Sequence, residues 1–209
     1  HPHSAADSVI LQRLPFLFSP SQRDEWGVRA LRTLKNRRHP VERKMTVKIT
    51  RAQALMYLDE ARALNNGGWI AHSLAAGTAA ERMAARIGDM DAERAFVLGV
   101  LHDIGRRFGE MGMNHAIQGY RFLLAEGDED AAEICLTHSF PVQEITAVNG
   151  GWDLTAEDYA FLDDFLRART YTGYDRLIQL CDAMATSEGI VAIERRMMDI
   201  MLRYGVDET

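Results

Sequence analysis

The chain has 209 residues, of which 47% are hydrophobic and 26% are charged, a composition that is typical of globular proteins and excludes a disordered chain or a disulfide-rich scaffold. The net charge of −6 is uneven: residues 1–44 carry nine Lys and Arg against four Asp and Glu, and the rest carry fifteen against twenty-six. The acidic body gives no general electrostatic reason to bind nucleic acid. The longest apolar stretch, Ala95 to Leu101, is far shorter than the roughly 20 residues that span a bilayer, so we expect no membrane contact.

The first part of the chain differs from the rest in charge and in proline content. We predict a basic segment with a short helix at 1–49 and a separate helical domain at 50–209. Met45 fits a natural start, which would make residues 1–44 an extension. No segment is convincing as a secretory signal, and Cys135 and Cys181 form no Cys-x-x-Cys pattern, so we expect reduced cysteines in a cytoplasmic protein.

The body contains one proline and many Ala, Leu, Met, Glu and Arg residues, which favours helices. No run alternates convincingly between apolar and polar residues, so we predict no sheet and an all-α fold. Capping signals at Thr50 and Thr155 support two of the helix starts. The predicted helices are 21–36, 51–65, 69–87, 91–103, 112–126, 128–138, 155–168, 173–186 and 189–204.

Residues 96–101 of the predicted helix 91–103 are apolar on all sides, yet the helix ends in two adjacent ionisable residues, His102 and Asp103, just before a glycine that we expect to cap it, Gly105. A buried carboxylate and imidazole cost several kcal/mol unless a hydrogen bond, an ion pair or a cation compensates. The pair alone leaves these alternatives open.

Four further ionisable residues lie at core-facing positions or helix ends: His72, His115, His138 and Asp182. Each by itself is more often a hydrogen-bonded core residue or a cap. Together with His102 and Asp103 they offer the imidazole and carboxylate groups that bind borderline divalent metals. The absence of thiolate ligands argues against a structural zinc site.

The order of His72, His102-Asp103 and Asp182 resembles the HD superfamily of metal-dependent phosphohydrolases. The resemblance is carried by "WIAHSLAAG", "VLHDIGR" and "LIQLCDAM", and it covers residues 50–205. His115 in "MNHAIQGY" and His138 in "ICLTHSF" fall where binuclear members place the histidines of a second metal. The resemblance implies an HD-domain-like helical bundle with the metal site in its core.

The resemblance also implies a ligand set. His72, His102, Asp103 and Asp182 would bind one divalent ion, while His115 and His138 would bind a second that Asp103 bridges. One or two ions per chain are expected, drawn from Fe, Mn, Co, Ni, Zn and Mg. Such ions clamp a phosphoryl group and lower the pKa of bound water towards neutrality.

Asp103 and Arg106 are the predicted catalytic residues. Asp103 would orient the metals, and Arg106, which stands where many family members have lysine, would hold the substrate phosphate with help from Arg107. No Glu follows the His-Asp pair within 104–108, which disfavours the mononuclear nucleotidases of the family. Ser139 replaces the second His of the cyclic-dinucleotide phosphodiesterases.

The leading hypothesis is metal-dependent hydrolysis of a phosphate ester or phosphoanhydride bond in a small, nucleotide-like substrate. Two alternatives stay open: a di-iron oxygenase with the same six ligands, and a non-catalytic, metal-stabilised sensor domain. The last predicted helix carries apolar residues at helical spacing, including Met197 and Met201, and is a candidate homodimer face.

Overall fold

The computed structural model describes residues 48–148 and 152–204, and these are mostly helical. Residues 1–47 of the predicted basic segment, including the helix predicted at 21–36, lie outside the described residues. The described part contains α1 (Arg51–Leu64), α2 (Gly68–Ile87), α3 (Ala92–Leu101), α4 (Asn114–Ala125), α5 (Glu129–Thr137), α6 (Ala156–Ala168), α7 (Gly173–Met184) and α8 (Ile193–Tyr204), with 3₁₀ helices at Ile104–Phe108 and Ile145–Ala147 and a hairpin of β1 (Ala185–Thr186) and β2 (Gly189–Ile190). The predicted all-α fold is confirmed, although the expectation of no sheet is wrong for this two-stranded hairpin.

Helix starts follow local side-chain caps. Thr50 forms a capping box with Gln53, and Thr155 accepts a hydrogen bond from the Asp158 N–H, as their sequence signals predict. Thr172 forms a further capping box at the start of α7. Because these caps satisfy N–H groups that the helix itself leaves open, they fix where each helix begins.

The predicted end of one helix and the predicted start of the next are wrong. The helices predicted at 173–186 and 189–204 are separated by the antiparallel hairpin, in which Ala185 pairs with Ile190 and Thr186 pairs with Gly189. Gly189 has a φ of 127°, a backbone conformation that other residues rarely adopt and that permits this tight return.

The helix predicted at 91–103 is also shorter than expected, because α3 ends at Leu101 and a 3₁₀ helix follows. Gly105 lies buried inside that 3₁₀ helix and does not cap α3. A Cβ atom at Gly105 would lie 1.9 Å from the His115 carbonyl oxygen and 2.5 Å from the Gly119 nitrogen. The glycine therefore permits close contact between the 3₁₀ helix and the start of α4.

A second glycine contact joins α2 to α3. A Cβ atom at Gly99 would lie 2.6 Å from the Gly77 Cα, and one at Gly77 would lie 2.6 Å from Val100 Cγ2. Only glycine at both positions permits this crossing without displacement. The close crossing brings His72, five residues before Gly77, next to His102, three residues after Gly99.

A buried ion pair connects α3 to the start of α5. Both Nη atoms of Arg94 donate to the Asp128 carboxylate, at 2.7 and 2.5 Å, and both side chains are almost fully buried. The same carboxylate accepts the backbone N–H groups of Ile49 and Ala131. Asp128 therefore caps α5 and also holds the chain that leads into α1.

Within the described residues, no helix combines the length and apolar character that a membrane crossing requires. Cys135 and Cys181 are both buried and free, as predicted. Helix α8 exposes several large apolar side chains: Met197, Met198, Met201 and Leu202. Homodimerisation through this helix stays a prediction.

Candidate metal centre

The six histidine and aspartate residues singled out from the sequence converge on one place in the bundle. They come from α2, the ends of α3, α5 and α7, and the first turn of α4, and are His72, His102, Asp103, His115, His138 and Asp182. His102 is fully buried, and His115, Asp103 and His138 are nearly so. Four of the six line a pocket of about 380 Å³: His72, Asp103, His138 and Asp182.

The protons of all four imidazoles are fixed by backbone carbonyl groups. His72 Nδ1 contacts the Ala185 oxygen at 3.2 Å, His102 Nδ1 the Gly99 oxygen at 2.7 Å, and His138 Nδ1 the Cys135 oxygen at 2.9 Å. His115 Nδ1 contacts the Gly112 oxygen in the same way. Because a carbonyl oxygen only accepts, each Nδ1 must donate, so each ring in its neutral form directs the lone pair of Nε2 at the cluster.

Three of these residues form a first triad, composed of His72, His102 and Asp182. The Asp182 Oδ1 atom lies 2.9 Å from His72 Nε2 and 3.4 Å from His102 Nε2. The two Nε2 atoms lie 3.2 Å from each other. The three atoms therefore converge on one point.

The second triad is composed of Asp103, His115 and His138. The Asp103 Oδ1 atom lies 3.1 Å from His115 Nε2 and 3.6 Å from His138 Nε2, and these nitrogens are 3.2 Å apart. His102 lies between the triads, since its Nε2 is also 3.9 Å from Asp103 Oδ2. His102, Asp103 and His138 themselves form a group whose donor atoms are close enough to share an ion.

These distances fit divalent metal ions. Two ligand atoms about 2.1 Å from one ion lie roughly 3.0 Å apart at right angles and roughly 3.4 Å apart at the tetrahedral angle. The separations within the triads run from 2.9 to 3.6 Å. Asp103 Oδ1 is buried and has no hydrogen-bond donor among the described residues, as expected of an oxygen intended for a cation.

The buried carboxylates of the cluster also favour a positive charge beside them. Burial raises the pKa of a carboxyl group, yet contacts with His102 and His72 outweigh burial and lower the pKa of Asp182. Burial would lower the pKa of His102, but Asp103 and Asp182 raise it to about 9. Burial and the charge on His102 lower the pKa of His138 to about 3, so His138 stays neutral. The proton on His102 thus balances part of the charge of the two buried carboxylates where no metal ion does so.

The two arginines after the His-Asp pair have different surroundings. Arg106 lines the pocket, and it donates from Nε to Asp103 Oδ2 at 2.7 Å and from Nη1 to the Met111 carbonyl at 3.3 Å. Arg107 lies elsewhere: its guanidinium packs on the Phe122 ring and pairs with Glu60. The expectation that Arg107 assists at the site is wrong, because its side chain is directed towards α1 and α4.

Sequence reasoning missed several residues of the pocket wall. Arg196 of α8 and Ser139, directly after His138, both line the pocket, as do Thr186 and Ser187 of the hairpin. A lone arginine on an amphipathic helix carries no sequence signal for a site, because its position depends on how α8 packs against α7. Trp69 stands at the pocket edge, where its Nε1 donates to the Asn65 carbonyl at 3.0 Å.

Comparison with protein families identifies the domain that carries these residues. A family model of the HD domain matches residues 69–187, which is more than half of the chain and includes all six residues of the two triads. Comparisons with curated proteins and with solved structures gave no match. HD domains bind divalent metals, and most of the family are metal-dependent hydrolases. The chain therefore belongs to the HD-domain family.

Proposed function

We propose that this protein is a metal-dependent phosphohydrolase that cleaves a phosphate ester or phosphoanhydride bond in a small, nucleotide-like substrate. One observation carries the proposal: four residues of the two triads and two arginines line the same pocket. Carboxylate and imidazole groups suit cations, whereas guanidinium groups suit anions. Together they match a substrate that meets metal ions on one side and needs its negative charge balanced on the other.

The two triads are the proposed ligand sets, with His72, His102 and Asp182 for one ion and Asp103, His115 and His138 for the other. Divalent ions held there would lower the pKa of water and offset charge on the phosphoryl oxygens. The carbonyl partners of each Nδ1 keep the imidazoles in the ligating tautomer. This preorganisation spares the protein a rearrangement when ions bind.

Arg106 has two proposed roles. Its Nε holds Asp103 Oδ2, which orients the other oxygen of that carboxylate towards His115. The guanidinium also faces the pocket, where it would donate to a substrate phosphate. Arg196, on α8, would supply a second cationic contact.

The size and rim of the pocket bear on the substrate. A volume of about 380 Å³ lies near the lower end of the range, about 300 to 1,000 Å³, that is usual for small-molecule pockets. This volume favours a small molecule over a polymer. Trp69 at the edge offers an aromatic face, held in place by its bond to Asn65, on which a base can stack.

The test is turnover of an aryl phosphate ester and a panel of nucleotides by protein loaded in turn with manganese, iron, cobalt and nickel. We expect phosphate release that requires metal and is lost in Asp103→Ala. Asp163→Asn changes a partly exposed carboxylate that pairs with Arg167 on α6; it serves as the matched control and should retain activity.

Two results would overturn the proposal. Oxygen consumption by an iron-loaded protein that leaves phosphoesters intact would favour the oxygenase alternative. No turnover with any of the four metals, together with an Asp103→Ala variant that changes only thermal stability, would favour a sensor domain.

A further inference from the structure

Asp153, in the segment that precedes α6, caps a helix to which it does not belong. Its Oδ2 accepts the Gly112 N–H at 2.9 Å and its Oδ1 accepts the Asn114 N–H at 2.8 Å. Helix α4 has no cap of its own, since Met113 stands at the N-cap position and provides no side-chain acceptor. The carboxylate therefore supplies the missing cap and places negative charge at the positive end of the helix dipole.

The loop before α4, residues 109–113, also holds the His115 side chain. The carbonyl of Gly112, whose N–H binds Asp153, accepts the hydrogen bond from His115 Nδ1. On the other side of the ring, His115 Nε2 lies 3.1 Å from Asp103 Oδ1. A continuous series of contacts thus runs from Asp153, through Gly112, to the second triad.

A further bond joins this loop to the carboxylate of the second triad. Arg106 donates to the Met111 carbonyl and to Asp103, so the loop contacts both His115 and the residue that orients Asp103. The first triad has other supports: His72 Nδ1 bonds to Ala185 and His102 Nδ1 bonds to Gly99. Neither carbonyl lies in the loop that Asp153 holds.

We infer that Asp153 is a positioning residue that fixes His115 and thereby assembles the second triad, while the first triad forms without it. The inference rests on the proposed metal centre. Outer partners of metal ligands typically change metal affinity by about 10- to 100-fold when they are removed. We therefore expect that loss of Asp153 weakens the binding of one of the two ions by about that factor and leaves the binding of the other unchanged.

The experiment is a manganese titration of the full chain, with ions counted per chain, for wild type, Asp153→Ala, Asp153→Asn and the matched control Asp163→Asn. Wild type and Asp163→Asn should bind two ions. Asp153→Ala should bind the first ion with unchanged affinity and the second at least tenfold more weakly. The affinity of Asp153→Asn for the second ion should lie between those of wild type and Asp153→Ala. An asparagine side chain has one acceptor oxygen, so it can accept only one of the two N–H groups that the carboxylate binds.

If Asp153 had only a structural role, Asp153→Ala would bind both ions more weakly to the same extent, or would change only the melting temperature. Either result overturns the inference. Two ions bound by Asp153→Ala with wild-type affinity would also overturn it, while leaving the proposed function intact. A wild-type chain that binds fewer than two ions would contradict the binuclear centre itself, and the assignment of Asp153 with it.

Discussion

The Nε2 atoms of His72 and His102 lie 3.2 Å apart, although each imidazole donates its Nδ1 proton to a backbone carbonyl. When both rings are neutral, they direct lone pairs at each other and cannot form a hydrogen bond. His115 and His138 repeat the arrangement at the same distance. A proton on His102 relieves the first contact, and a metal ion at each pair would make both contacts attractive.

Metal removal should lower thermal stability. An ion present at 100 times its dissociation constant stabilises the folded state by about 2.7 kcal/mol, which corresponds to a shift in Tm of about 5 to 10 °C for a chain of this size. Thermal melts with manganese and with a chelator measure the shift. Asp182→Ala should reduce it by removing one ligand of the first triad, and Asp163→Asn should not. Equal melting temperatures with metal and with chelator would contradict the prediction.

Gly105→Ala should disrupt the contact between the 3₁₀ helix and α4. The added methyl group would meet the His115 carbonyl and the Gly119 nitrogen at distances that no real contact tolerates. We expect a loss of about 1 to 3 kcal/mol or more in the free energy of unfolding, measured by urea denaturation, and weaker metal binding at the second triad.

Gly173→Ala is the matched control for that variant. It introduces the same methyl group at the first residue of α7, where the nearest neighbour, Met90 Cε, lies at an ordinary 3.6 Å. Its stability should stay close to that of wild type. A Gly105→Ala variant as stable as Gly173→Ala would refute the close-contact argument.

The Arg94 and Asp128 pair should make stability depend on pH. Burial raises the pKa of Asp128, but hydrogen bonds from Arg94 and from the Ile49 and Ala131 N–H groups outweigh burial and lower the pKa below its usual 3.8. A carboxyl group with a lowered pKa in the folded state stabilises it at pH values above 3.8, and this contribution is lost as the pH falls through the folded-state pKa.

Asp128→Asn tests this dependence. At neutral pH the variant should lose about 3 to 5 kcal/mol, because the Arg94 charge stays buried without its partner. The difference from wild type should shrink as the pH falls from 3.8 to the lower folded-state pKa of Asp128, at which the folded wild-type carboxylate becomes protonated. Urea denaturation of both chains across that range measures it, and a difference independent of pH would argue against the pair.

Arg196→Ala should weaken substrate binding. One hydrogen bond to a charged group contributes about 1.5 to 3 kcal/mol, so we expect KM for the substrate found in the turnover assay to rise by about 10- to 100-fold. Arg195→Ala removes the same charge from the neighbouring, exposed position of α8 and should leave KM unchanged. Similar kinetics for the two variants would remove Arg196 from the substrate site.

The sequence by itself determined the helices and the types of residue at the site. Caps such as Thr50 act within one turn, and apolar periodicity follows from the helix repeat, so both can be read locally. The six predicted ligands could be named because imidazole and carboxylate groups on apolar helices need a compensating partner. The resemblance to the HD superfamily then supplied their grouping.

Only the tertiary structure decided which atoms meet. Gly105 permits close packing because α4 passes beside it, a contact between elements that no local pattern encodes. Arg106 and Arg107 are adjacent in sequence, yet one faces the pocket and the other packs on Phe122, since successive side chains of a tight helix point in different directions. Asp153 bonds to the start of α4 and Arg196 lines the pocket, both from segments distant in sequence, and these contacts depend on how the elements pack together.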